Sequence, residues 1–123
     1  MVVLVDALDS VDLPGRGREL RFHPDLSPHG ANVNFVSRTD GGWAMRTYER
    51  GVEAETLACG TGAIACATLL GGWGAAEVPL DLTTRSGCLL SVSGRLESEG
   101  GLTSPRLGGE GRLVFRGVLG RGL

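Results

Sequence analysis

The chain has 123 residues, 41% of them hydrophobic and 21% charged, with a formal net charge of −2. That length suits a single domain with a real core, and the weakly acidic balance argues against nucleic acid as a partner. All 12 basic residues are arginine. Without a lysine the chain can supply neither a pyridoxal phosphate Schiff base nor a Walker-type phosphate lysine, and no cofactor is expected.

Met1 to Val5 is a short β-rich run that enters with no leader, as if the chain began just before or inside a strand. The acidic stretch from Asp6 leads to Asp12 and Pro14, residues that open helices, and a short surface helix is expected to end near His23-Pro24. Pro24 to Gly30 is expected to be a loop. Asn32-Val33-Asn34-Phe35-Val36-Ser37 alternates as a strand does, Thr39-Asp40-Gly41-Gly42 is a hairpin turn, and Trp43 to Arg50 is its second arm.

From Ala58 to Ala76 no residue carries a formal charge. The run approaches membrane-spanning length, but its glycines and threonines mark it as a core helix, and no membrane partner is expected. From Gly62 to Leu70 the side chains are small or aliphatic on every face, which predicts a helix buried all round. Gly71-Gly72-Trp73-Gly74 should stop it. Strands are expected again over Val78 to Thr84, Leu89 to Ser93 and Leu113 to Phe115, with Glu97 to Gly111 the least ordered part. The pattern is an α+β strand meander with one central helix.

Cys59 stands at the mouth of the apolar run, followed by Gly60-Thr61-Gly62. Small residues there let a ligand approach the backbone, and the first N–H groups of the helix point outward toward an anion. The same partial positive charge favours a thiolate, so Cys59 can be a working thiol or one more small buried residue. Cys66, two turns deeper, and Cys88, after Ser86-Gly87, are expected to pack. An odd number of cysteines without a secretory signal fits free thiols in a reducing cytoplasm. None of them pairs with His23 or His29 at a zinc spacing, so no metal is expected.

Asn32 and Asn34 fall on one side of their strand, where their amides could hold a polar ligand. Glu49-Arg50 is either a solvated ion pair or, for an amino acid ligand, a carboxylate for its ammonium and a guanidinium for its carboxylate.

Three blocks carry a family resemblance: Ala31-Asn32-Val33-Asn34-Phe35-Val36, Tyr48-Glu49-Arg50-Gly51, and Glu55-Thr56-Leu57-Ala58-Cys59-Gly60-Thr61-Gly62-Ala63. In that order and spacing they resemble the C-terminal half of diaminopimelate epimerase. His23-Pro24, Thr84-Arg85-Ser86-Gly87 and Arg112-Leu113-Val114-Phe115-Arg116-Gly117 fit as well, so the resemblance covers nearly the whole chain. It implies one domain over residues 1–123, a strand meander curled into a partial barrel around one central buried helix. It also implies an enzyme that interconverts LL- and meso-diaminopimelate, for lysine and peptidoglycan precursors, without pyridoxal phosphate.

By the same resemblance one thiolate removes the α-proton and a second thiol protonates the far face. Cys59 would be one catalytic acid/base, Asn32 would contact substrate, Glu49 and Arg50 would bind its reacting amino acid end, and Gly60 and Thr61 its α-carboxylate. The family's first cysteine, in a Cys-Gly-Asn-Gly setting, and its Asn-Pro-His motif do not occur in this sequence. The N-terminal domain is therefore expected to be missing, and the chain alone to have little or no activity. Related proline racemase or phenazine-biosynthesis types fit less well at Glu49-Arg50 and Asn32 to Phe35. A non-catalytic homodimer setting Cys59 against its symmetry mate is the remaining alternative.

Overall fold

The computed structural model describes residues 1–120 and 122. In chain order its elements are β1 (Val2–Leu4), α1 (Leu13–Arg21), β2 (Val33–Thr39), β3 (Gly42–Glu49), β4 (Ala54–Thr56), α2 (Gly60–Gly72), β5 (Leu80–Thr83), β6 (Leu89–Leu96) and β7 (Leu102–Gly109). Short 3-10 turns occupy Leu8–Ser10 and Pro24–Leu26.

The seven strands form one mixed sheet in the order β1-β2-β3-β5-β6-β7, with β4 pairing the far end of β3. The β2–β3 hairpin turns through Asp40-Gly41, with Thr39 opposite Gly42. β3 and β5 run parallel, so the chain must cross over between them, and α2 makes that crossing.

Alternation along β2 divides the molecule into two layers. Val33 and Phe35 point to one face, where they join Leu13 of α1 and Tyr48 of β3 in a buried cluster. Val36 points to the other face, where Ala63, Cys66, Ala67 and Leu70 of α2 pack on Met45, Leu80, Leu82 and Val92. Side chains of opposite parity along a strand must take opposite faces, so one strand serves both helices. α1 begins at Asp12, whose carboxylate accepts the Gly15 N–H at 3.2 Å, and places Gly17 so close to Tyr48 that a Cβ would lie 2.7 Å from the ring.

The sheet is open, with β1 and β7 at opposite ends of its order and unpaired. Three expectations are revised. α2 is buried along one stripe only, with Thr61, Leu69 and Gly72 exposed, because a single sheet layer can cover only one side of a helix. The segment expected to be least ordered contains β7, which pairs with β6 through the turn at Ser98–Gly101. Its register shifts where Ser104 and Pro105 stand opposite Gly94, a bulge that accommodates a proline on an outer strand. Finally, Leu113 to Phe115 forms no strand: Phe115 is 82% exposed, and strand-forming residues without a ladder partner have nothing to pair with.

Candidate active site

Cys59 is the N-cap of α2. Its backbone is extended (φ −141°, ψ 109°), and its Sγ accepts the Gly62 N–H at 3.3 Å, the place usually taken by a serine, threonine or aspartate oxygen. The hydrogen bond that starts the helix thus also fixes the sulfur at the positive end of the helix dipole. Two further polar groups converge on Sγ: Asn32 Nδ2 donates at 3.6 Å and Thr61 Oγ1 lies at 3.5 Å. The residue is 6% exposed.

Asn32 links the expected site residues. Its Nδ2 also donates to Glu49 Oε1 at 3.4 Å, and its Oδ1 accepts the Arg50 N–H at 2.8 Å. Glu49 is not paired with Arg50; its second oxygen accepts Thr56 Oγ1 at 2.9 Å. No carboxylate among the described residues pairs with the Arg50 guanidinium. Arg50 lines a cavity of about 300 Å³ together with Gly30, Asn32, Asn34, Thr61 and Gly62. Thr61 lines the cavity and Gly60 precedes it, and the N–H groups of both find no acceptor among the described residues. A cavity of this size, with a free guanidinium and free amides at a helix N-terminus, suits a small anionic ligand.

Asn34 differs from its expected role. It is 2% exposed and both its polar atoms are partnered within the protein, Oδ1 accepting Thr47 Oγ1 at 2.8 Å and Nδ2 donating to Met1 O at 3.1 Å. Its side chain presses against Gly62, where a Cβ would overlap Oδ1. Gly62 is glycine because β2 and α2 meet there. Thr56 and Gly62 are the positions that residue-by-residue reading does not assign; the threonine stands between Glu49 and Cys59 in sequence but has no chemistry of its own to flag it.

The approach to Cys59 is anchored from the other side of β3. Arg46 grips Glu55 with both fork nitrogens, at 2.7 and 2.9 Å, and donates to Leu8 O at 2.8 Å. That hydrogen-bonded pairing holds the Glu55 carboxyl below the usual carboxylate range. The Thr84-Arg85-Ser86-Gly87 turn closes on the same loop, with Ser86 N–H donating to Leu57 O at 3.1 Å.

The other two thiols stand apart. Cys66 is wholly buried in the core, and burial pushes its thiol up to about 12. Cys88, half-buried just before β6, belongs to neither core cluster, and its Sγ lies 3.6 Å from Glu110 Oε2.

A family profile described as "Diaminopimelate epimerase" matches residues 1–92. The protein of that name from Gemmatimonas aurantiaca is 48% identical over 126 residues, which take in 97% of this chain and 46% of that protein. The chain belongs to the diaminopimelate epimerase family. Family members from Hydrogenobaculum sp. (48% identity, 72% of this chain, 32% of that protein) and Aquifex aeolicus (46% identity, 74% and 33%) match as well. The chain spans half or less of the length of the curated relatives it matches. Among solved structures, a phenazine biosynthesis protein of the PhzF family from Enterococcus faecalis superposes with a TM-score of 0.57 at 18% identity, covering 76% of this chain and 33% of that one. A putative phenazine biosynthesis PhzC/PhzF protein from Clostridium difficile gives 0.55 at 22% identity, over 75% and 32%. At such identities the likeness is one of fold. No helix among the described residues of this diaminopimelate epimerase family member is long and apolar enough to cross a membrane.

Proposed function

We propose that this chain is the half of a pyridoxal-phosphate-independent epimerase that brings one of two acid/base thiols to the α-carbon of diaminopimelate, interconverting its LL and meso forms. Cys59 takes the α-proton on one face or returns it there. The Gly60 and Thr61 N–H groups hold the α-carboxylate, Glu49 and Arg50 hold the reacting amino acid end, and Asn32 sets these groups in register with the sulfur. As the proton leaves, negative charge spreads into the carboxylate, where amides already aimed by the helix stabilise it without reorganising. No electron-sink cofactor enters the scheme.

The observation that supports this reading is the convergence at Cys59, an N-cap sulfur met by Gly62, Asn32 and Thr61; Asn32, Thr61 and Gly62 also line the cavity that Arg50 lines. Racemisation by two bases needs a second thiol on the opposite face of the carbon. Cys66 lies seven residues down the same helix, about 10 Å along its axis, and cannot face Cys59 across one atom. In this reading the second thiol comes from the half of the family's chain that the alignment does not cover. That half also packs on the open side of α2, which then becomes the central helix of a partial barrel. A cytoplasmic location accords with the three free thiols.

The test is uptake of deuterium from solvent at the α-carbon of diaminopimelate. The purified 123-residue chain should give little or no exchange, and addition of the complementary half of a family member should restore exchange that Cys59→Ala abolishes. Full turnover by the chain alone, or restored exchange that survives Cys59→Ala, would sink the proposal.

A further inference from the structure

Arg21 is the one charged residue in the buried set among the described residues, with a side chain only 10% exposed. It ends α1, behind the candidate site rather than in it, and its guanidinium is consumed by protein partners. Nε and Nη2 both donate to Glu53 Oε1, at 3.1 and 3.0 Å, and Nη1 donates to His29 O at 3.1 Å.

These partners belong to two of the segments that line the cavity. His29 precedes Gly30, Ala31 and Asn32, all of which line the cavity. Gly30 takes φ +62°, and a Cβ there would overlap the guanidinium, so this strand entry is shaped around Arg21. Glu53 closes the turn that carries Glu49 and Arg50: its N–H donates to Glu49 O at 2.8 Å, and its Oε1 accepts the Gly51 N–H at 3.0 Å.

Two features show that this turn is held against local preference. Glu53 has φ +58°, in the left-handed region that a side-chain-bearing residue seldom enters. It also places three donors on one oxygen and leaves Oε2 buried without a partner. An isolated surface turn would solvate that oxygen. Here the geometry of the clamp prevails.

We infer that Arg21 and Glu53 are positioning residues, a clamp that sets the spacing between Asn32 and Arg50 and so places the Arg50 guanidinium relative to Cys59. The chain of contacts is continuous: Arg21 holds the Asn32 entry through His29 and the Arg50 turn through Glu53, and the Asn32 Oδ1 to Arg50 N–H bond closes the loop. The planar fork serves both segments at once in a fixed geometry, which the compact, more mobile lysine ammonium reproduces only in part. The inference rests on the proposed function only for the meaning of that spacing, not for the clamp itself.

The test compares Arg21→Met, Arg21→Lys and Glu53→Gln in the purified chain by amide hydrogen exchange. Exchange at Arg50 is expected to accelerate at least tenfold in Arg21→Met relative to Phe35 and Met45, with Arg21→Lys recovering part of the protection. Equal acceleration at Arg50 and at the two core amides would mean a merely structural residue and overturn the inference, as would no change at Arg50. Should Arg21→Met fail to fold, the near-isosteric Glu53→Gln carries the same comparison. Calorimetric titration with meso-diaminopimelate is the second arm, in which Arg21→Met should weaken binding by about tenfold or more, the scale of losing one hydrogen bond to a charged group. A wild-type chain that binds no diaminopimelate would count against the proposed function, while the exchange comparison would still decide the clamp.

Discussion

Asn32 and Cys59, 27 residues apart in sequence, meet at 3.6 Å from the amide nitrogen to the sulfur. The contact joins the strand entry to the helix N-terminus, and the same amide reaches Glu49 and the Arg50 backbone. One side chain therefore ties three of the proposed roles together.

Asn32→Asp should separate these ties. The new carboxylate can still accept the Arg50 N–H, but it sets negative charge between Glu49 and the Cys59 sulfur, which opposes charge developing on either. Alkylation of Cys59 by iodoacetamide is expected to slow by about tenfold. Asn32→Ala, which adds no charge, should slow it far less while costing about 1 kcal/mol of stability in urea unfolding. Equal rates in the two variants would show that the amide does not govern the sulfur.

Gly62→Ala is a test of how closely α2 and β2 approach. In an exposed helix interior this change is stabilising by about 1 kcal/mol. Here the methyl group would overlap Asn34 Oδ1 and stand 3.2 Å from Cys59 Sγ, so the sign should reverse. A loss of about 1–3 kcal/mol in urea unfolding is expected. A stabilised variant would mean that the two elements separate at little cost.

Cys66 makes stability depend on alkaline pH. Burial raises its thiol from the ordinary 9.0 to about 12 in the folded chain. The unfolded chain thus releases this proton above about pH 9 while the folded chain keeps it, so stability is whole below that point and falls as pH rises. The slope approaches about 1.4 kcal/mol per pH unit until the folded thiol itself ionises. Urea titrations from pH 8 to pH 10.5 should show this fall in the wild type and a shallower one in Cys66→Ala, whose stability below about pH 9 is lower because of the cavity it leaves.

Much of the local structure around Cys59 is legible in the sequence. The alternation from Asn32 to Ser37, the Asp40-Gly41 turn and the small residues after Cys59 are local patterns, and each produces its element where expected. Asn34 shows the limit of such reading. Parity places it beside Asn32 on the α2 face, but only the partners at Thr47 and Met1 reveal that its amide is spent on structure. Arg21 and Glu53 carry no local signal of their pairing, since 32 residues separate them and nothing in either neighbourhood points to the other.

The failures have a common cause. Hydrophobic periodicity reports which faces of an element can be buried, not whether another layer is there to bury them. It marked α2 as apolar all round, yet the single sheet covers only the Ala63, Cys66, Ala67 and Leu70 stripe. It marked Leu113 to Phe115 as a strand, yet no ladder partner stands beside it. Conversely β7, with its proline and glycines, exists because β6 supplies hydrogen bonds and a bulge absorbs the misfit. What the sequence alone determined was the chemistry at hand: a cysteine at the mouth of a helix of small residues, and the amide, carboxylate and guanidinium of Asn32, Glu49 and Arg50. What the tertiary structure decided was how those groups are held, because contacts across the sheet and the Arg21–Glu53 pairing depend on distances in space that no local pattern encodes.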